Sequence, residues 1–157
     1  MAVTDVKATL SLYGQKATAR AAQVTAALGL EPHRSREPGD PHHSKRMAAL
    51  GKVVTHAYWS FSEPRTIARD EDPHGMESLV RLAERLEPLA PRLEELSEDF
   101  DIVIWMLGMS DSSQAGFAIG PETMRRLGLL HATFLPDIYL GEYVTAEEYA
   151  EWTTERD

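Results

Sequence analysis

The longest unbroken apolar stretch in the chain is Ile102-Val103-Ile104-Trp105-Met106-Leu107. A segment that is apolar at both parities does not suit a sheet with one wet face, so it predicts a central strand covered on both sides, with Trp105 in the core. The chain has 157 residues, of which 43% are hydrophobic and 26% charged, enough for one core and too few for two. A domain of this size buries roughly 68–70% of the surface its unfolded chain exposes, so folding requires neither a disulfide nor a structural metal. There is no cysteine. Iron–sulfur clusters, cysteine nucleophiles, cysteine-based zinc sites and disulfide scaffolds are thereby excluded.

Strand and helix periodicities alternate around that central run. In Lys7–Tyr13, Ala8, Leu10 and Leu12 fall on one side, the pattern of a half-buried strand ending at Gly14. From Thr18 the spacing turns helical, with Ala21, Val24 and Leu28 on one face and Gly29 as the stop. His33–Gly51 contains Pro38-Gly39-Asp40-Pro41 and three histidines without periodicity, which predicts a long loop. Val53, Thr55, Ala57, Trp59 and Phe61 then share one face of a second strand, with Val54, His56, Tyr58 and Ser60 on the other. Met76, Leu79, Ala83 and Leu86 space an amphipathic helix, and Pro88 and Pro91 predict a kink or a second short helix carrying Leu93 and Leu96.

After the central strand, Asp111-Ser112-Ser113 is turn chemistry, and Ala115, Phe117 and Ile119 alternate as the second arm of a hairpin. Pro121 opens a short helix in which Met124 and Leu127 face the core and which Gly128 ends. Thr133–Leu140 predicts a last strand whose Pro136 suits an edge. Thr145-Ala146-Glu147-Glu148 is a capping box for an acidic terminal helix over about residues 145–155, which carries Tyr149 and Trp152. The expected fold is α+β: residues 1–157 as a single domain, core 7–141, with a mainly antiparallel sheet of about five strands covered by helices. Leu28-Gly29-Leu30 and Leu127-Gly128-Leu129 each end a strand–helix unit, an echo that points to a duplicated, ferredoxin-like arrangement.

These segments resemble, over almost the whole chain, the bacterial family catalogued as domain of unknown function 4279. The resemblance rests on the strand Ala8–Tyr13, on Leu28-Gly29-Leu30-Glu31-Pro32, on Tyr58-Trp59-Ser60-Phe61-Ser62, on the leucine-rich stretch Leu79–Leu96 and on Asp137-Ile138-Tyr139. Where such families have a Lys-Gly-Glu-like element after the first helix, this chain has Arg36-Glu37-Pro38-Gly39-Asp40. The resemblance implies a bacterial origin and a small standalone domain, and it supplies no reaction.

Charge is unevenly distributed within the net of −9: residues 1–56 hold eight Lys/Arg and four Asp/Glu, and residues 57–157 hold eight and twenty-one. Arg34, Arg36, Lys45, Arg46 and Lys52 cluster in sequence with His33, His42, His43 and His56. The net sign argues against direct nucleic-acid binding, which needs many cations to neutralise phosphates, and favours a protein partner. Arg34, Arg36, His42, His43, Lys45, Arg46, His56 and Trp152 are the candidate binding residues.

No catalytic residue, metal or cofactor is expected. Adjacent histidines on an extended chain point to opposite sides, and there is no His-x₃-His pair to assemble a metal site with His33, His56 and Asp40. Ser110–Ser113 and His131 lack a Gly-x-Ser-x-Gly elbow, and no phosphate-binding glycine loop is present. Pairs such as Glu94-Glu95 do not face each other on a helix. The expected function is a non-catalytic protein-interaction module of the immunity, antitoxin or regulatory-partner kind. One alternative is a small-ligand- or metal-binding enzyme using the His33–His56 loop; another is an acidic mimic of nucleic acid built on residues 87–101 and 137–157. No apolar run nears the roughly 20 residues of a membrane span, and Met1–Asp5 lacks the features of a signal peptide, so a cytoplasmic protein without membrane contact is expected.

Overall fold

The computed structural model describes residues 3–73, 75–113 and 115–141. In chain order the elements are β1 (Val3–Gly14), α1 (Ala21–Leu28), β2 (Arg34–Arg36), α2 (Lys45–Ala49), β3 (Tyr58–Ser62) and β4 (Thr66–Ile67). There follow α3 (Glu77–Leu86), a 3-10 turn (Glu87–Leu89), α4 (Ala90–Leu96), β5 (Phe100–Ser110), α5 (Pro121–Gly128) and β6 (Thr133–Leu140). The strands form one sheet in the order β2-β3-β1-β5-β6, and β4 pairs with β1 at Asp5 and Val6, beyond the end of β3. All pairings are antiparallel except β5 with β6, so the fold is α+β with a mixed, mainly antiparallel sheet. The units β1-α1-β2 and β3-α3-β5 interleave so that adjacent strands run in opposite directions, the split β-α-β pattern. The crossover through α5 then adds β6 as a parallel edge strand.

Period-two alternation decides which face of this sheet is dry. Ala8, Leu10 and Leu12 of β1, Trp59 of β3, and Ile102, Ile104 and Met106 of β5 are all buried. They form one cluster with Val24 and Leu28 of α1, Leu79, Leu82 and Leu86 of α3, and Leu93 of α4. A register shift between Val3 and Asp5 lets Val3 and Val6 both reach this face. The fully buried Trp59 donates its indole N–H to Thr25 Oγ1 at 3.0 Å, the partner a buried tryptophan requires. Where the chain leaves β1 between β3 and β4, the buried Ala8 N–H loses a strand partner on that side and is taken instead by Ser78 Oγ of α3, at 3.0 Å.

Several elements fall where periodicity predicts. Gly29 closes α1 in the left-handed region at φ 65, Pro88 and Pro91 split the second helical segment at the 3-10 turn, and β6 spans Thr133–Leu140 at the sheet edge. Other expectations are corrected. The 33–51 segment is not a featureless loop: it holds β2, paired with β3 through Arg34↔Ser60 and Arg36↔Tyr58, and the one-turn α2. Strand β3 begins at Tyr58, because Val53–His56 stand outside the ladder and Val53 is half exposed. Residues 115–119 form no strand; β5 is flanked by β1 and β6, and the Gly116 C=O accepts the Val3 N–H of the sheet. In α5, Met124 is 57% exposed and Thr123 takes the buried position.

The covering of the central strand differs as well: among the described residues β5 has helices over one face only, and Trp105 is half-buried on the other. The two glycines of the sequence echo differ in geometry, since Gly128 lies inside α5, whose cap is Leu129 in a right-handed conformation. The terminal helix expected over 145–155, with Trp152, lies outside the described residues.

Candidate binding groove

The polar parity of the same strands makes the opposite face of the sheet a site. On β1 it presents Lys7, Thr9, Ser11 and Tyr13; on β3, Tyr58, Ser60 and Ser62; on β5, Trp105 and Leu107; on β6, Asp137 and Tyr139. The register sets these in rows. Ser60 and Ser11 are paired, as are Ser62 and Thr9, Tyr58 and Tyr13, Thr9 and Trp105, Lys7 and Leu107, and Leu107 and Asp137. The middle of the face is therefore a ladder of small hydroxyls, and larger side chains stand around it. Arg34 of β2 closes one side, and the bend Glu63-Pro64-Arg65 closes another. The result is a groove of about 760 Å³, within the range that accommodates a small ligand.

Ser11 and Ser60 are 2% and 3% exposed, although among the described residues no buried helical residue packs on this face. Tyr13, Tyr58 and Trp105 stand beside them in the lining. Thr9 Oγ1 and Ser62 Oγ lie 2.8 Å apart in a mutual hydrogen bond, and the Tyr13 and Tyr58 rings meet with centroids at 5.2 Å. His33 stands at the rim. Its Nδ1 accepts the Ser62 N–H at 3.1 Å, which leaves Nε2 as the nitrogen able to meet a ligand.

Charge on the lining is cationic on balance. Lys7, Arg34 and Arg65 face Glu63 and Asp137. Glu63 is 4% exposed and its carboxylate is held by Arg85 Nε at 2.5 Å, from the helix side, where Arg85 also stacks over Phe61. Arg65 is in turn paired with Asp5 at 3.2 Å. A chain of net charge −9 thus places three of its sixteen Lys and Arg residues around one concavity.

Of the residues singled out by sequence, Arg34 and the neighbouring His33 reach the groove. Arg36 ends β2 with its guanidinium on the Ser35 carbonyl. His42 and His43 stack on each other at 4.1 Å, and His42 Nδ1 accepts the Ser44 N–H. Lys45 and Arg46 are exposed on α2, and the exposed His56 bonds Thr55. Trp152 is outside the described residues. Among the described residues no group of three or more His, Asp or Glu is arranged to hold a metal ion. Ser110 and His131 lie toward opposite ends of β5, since Val103 pairs with Thr133 and Ser110 with Leu140.

The groove residues missed by sequence reasoning are Lys7, Arg65, the hydroxyl ladder and the aromatic rim. A signal was present: the solvent parity of two adjacent strands carries Thr, Ser and Tyr in place of the long charged side chains expected of a bare wet face.

A mixed, mainly antiparallel sheet with helices packed on one face and a groove on the other defines the class: an α+β domain. The chain belongs to the family described as domain of unknown function (DUF4279), whose model matches residues 4–141. No curated protein and no solved structure matches it.

Proposed function

We propose that this chain acts as a single-domain, non-catalytic cytoplasmic binding module that takes a small ligand on the open face of its sheet. The observation that carries the reading is the sunken hydroxyl floor, Ser11 and Ser60, walled by aromatic and cationic side chains. A bare sheet face has no physical need of buried serines ringed by Trp105, Tyr58, Tyr13 and Arg34. The groove also offers a defined volume with several convergent polar groups. A thermal-shift screen of small metabolites on the wild type, Ser11→Leu and Ser60→Leu tests this. Compounds that stabilise the wild type and lose their effect when either leucine fills the floor are expected; compounds that stabilise all three alike, or none that stabilise the wild type, count against the groove.

A second reading, docking to an acidic protein surface in an immunity, antitoxin or regulatory role, is favoured by the 45–53 segment. Met47, Leu50 and Val53 are 36%, 66% and 50% exposed, in the same stretch as the cations Lys45, Arg46 and Lys52. Exposed apolar and cationic side chains in one segment suit a partner surface that is both apolar and acidic. Crosslinking in a lysate, compared with a variant reversing Arg36, Lys45 and Arg46, separates the cases: a partner held equally by both forms counts against it.

A further inference from the structure

We propose that the ligand of the groove is a planar heterocycle bearing a phosphate or carboxylate, of which a nucleoside monophosphate is the simplest form; this rests on the groove being the binding site. Three features of the lining converge on it. First, Lys7, Arg34 and Arg65 outnumber Glu63 and Asp137 in the lining, with Glu63 held by Arg85 and Arg65 by Asp5. An anion entering the groove meets a local field opposite to that of the acidic chain as a whole.

Second, the register places an aromatic face and a cation at a fixed spacing. Thr9 faces Trp105 while Lys7 faces Leu107, so Lys7 and Trp105 are diagonal neighbours on the same face, with backbones roughly 7–8 Å apart. A ring lying on Trp105 carries a substituent one sugar or one short chain away to Lys7. Third, the floor consists of hydroxyls, Thr9, Ser11, Ser60 and Ser62, each able to donate and to accept. A heterocycle with mixed donors and acceptors on its edge adds hydrogen bonds to the Thr9–Ser62 and Ser11–Tyr58 pairs already present, whereas a plain hydrocarbon ring adds none.

Single-stranded nucleic acid uses the same aromatic platform but needs a cationic track that follows its backbone beyond one nucleotide. The chain's net charge of −9 favours a free, nucleotide-sized ligand.

Isothermal titration of the full chain with AMP, GMP, CMP and UMP, their four nucleosides, inorganic phosphate and a short oligonucleotide tests the assignment. The variants are Trp105→Ala and Lys7→Ala, each checked for folding by circular dichroism. At least one nucleotide should bind saturably, with its nucleoside weaker by about tenfold and Trp105→Ala weaker by about tenfold. Lys7→Ala should weaken the nucleotide and leave the nucleoside unchanged. Equal affinity for nucleoside and nucleotide overturns the anion assignment and leaves the groove standing. Binding only of the oligonucleotide overturns the free-ligand assignment in favour of a single strand. Silence toward all these probes, with floor-dependent hits in the thermal-shift screen, overturns the ligand class alone; silence in both overturns the groove itself.

Discussion

Glu37 holds α1 from outside the helix: its two carboxylate oxygens accept the N–H groups of Ala21 and Ala22 at 3.0 and 2.9 Å. The loop that presents it is itself closed by Asp40, whose Oδ2 accepts the Glu37 N–H at 2.8 Å, with Gly39 in the left-handed region at φ 98. That is the role of Arg36-Glu37-Pro38-Gly39-Asp40 in this chain. Replacing Glu37 with alanine should cost about 0.5–2 kcal/mol, the usual worth of an N-terminal cap, as read by urea denaturation. Arg85→Ala strands the buried Glu63 carboxylate and should cost about 1.5 kcal/mol, the lower end for a charged hydrogen bond because Arg85 is 47% exposed and partly screened. Adding Glu63→Leu to it should recover part of that loss; a purely additive double mutant contradicts the pairing. At this scale the sequence was partly legible. A buried indole at Trp59 demanded an acceptor, which Thr25 supplies, but nothing local marks Glu37 as the cap of a helix sixteen residues upstream.

Among the elements, α5 is tied to its neighbours by a cluster of ion pairs beside the core contact of Leu127. Arg125 and Arg126 both grip Glu87, at 2.6 and 2.9 Å, Arg126 reaches Glu84 of α3 at 3.2 Å, and Arg125 also holds Glu122 at 2.7 Å. The hydrogen bonds from Arg125 and then Arg126 hold the Glu87 carboxyl below its usual range, and Arg125 does the same to Glu122. A depressed native pKa means stability fully present above the ordinary carboxylate value of about 4.3 and lost as pH falls through the lowered native one. Melting temperatures of wild type and Glu87→Gln should therefore differ near neutrality and converge in acid, with the gap shrinking as salt rises; a constant gap down to about pH 2 contradicts the clamp.

Element length decides what periodicity can reveal. Strand β1, α3, β5 and β6 are long enough to show a pattern, whereas β2 has three residues and α2 five. Trp105 misled for a different reason. Apolar residues at both parities predict two covering layers, but Trp105 and Leu107 are half-buried and line the groove.

For the whole molecule, the asymmetry of charge along the chain is legible in sequence, while its concentration around one groove is not. Lys7, Arg34 and Arg65 belong to three separate segments, and only the sheet order β2-β3-β1-β5-β6 gathers them. The same order constrains how the chain is made. Strand β1 pairs from Val3↔Ser110 to Gly14↔Phe100, so the first strand finds its principal neighbour only near the end of the described chain. A nascent polypeptide shorter than that can build α1 and the β1–β3 ladder but leaves the far edge of β1 unpaired, an adhesive strip that invites misassembly. Stopped-flow refolding should be slow, on the order of milliseconds to seconds, because closing so large a loop precedes its reward. Ribosome-stalled chains ending before Phe100 should stay protease-sensitive, and protection should appear abruptly once β5 has cleared the exit tunnel; early, gradual protection contradicts this. The pace at which Phe100–Ser110 emerges is therefore expected to set how long that adhesive strip stays open to wrong neighbours.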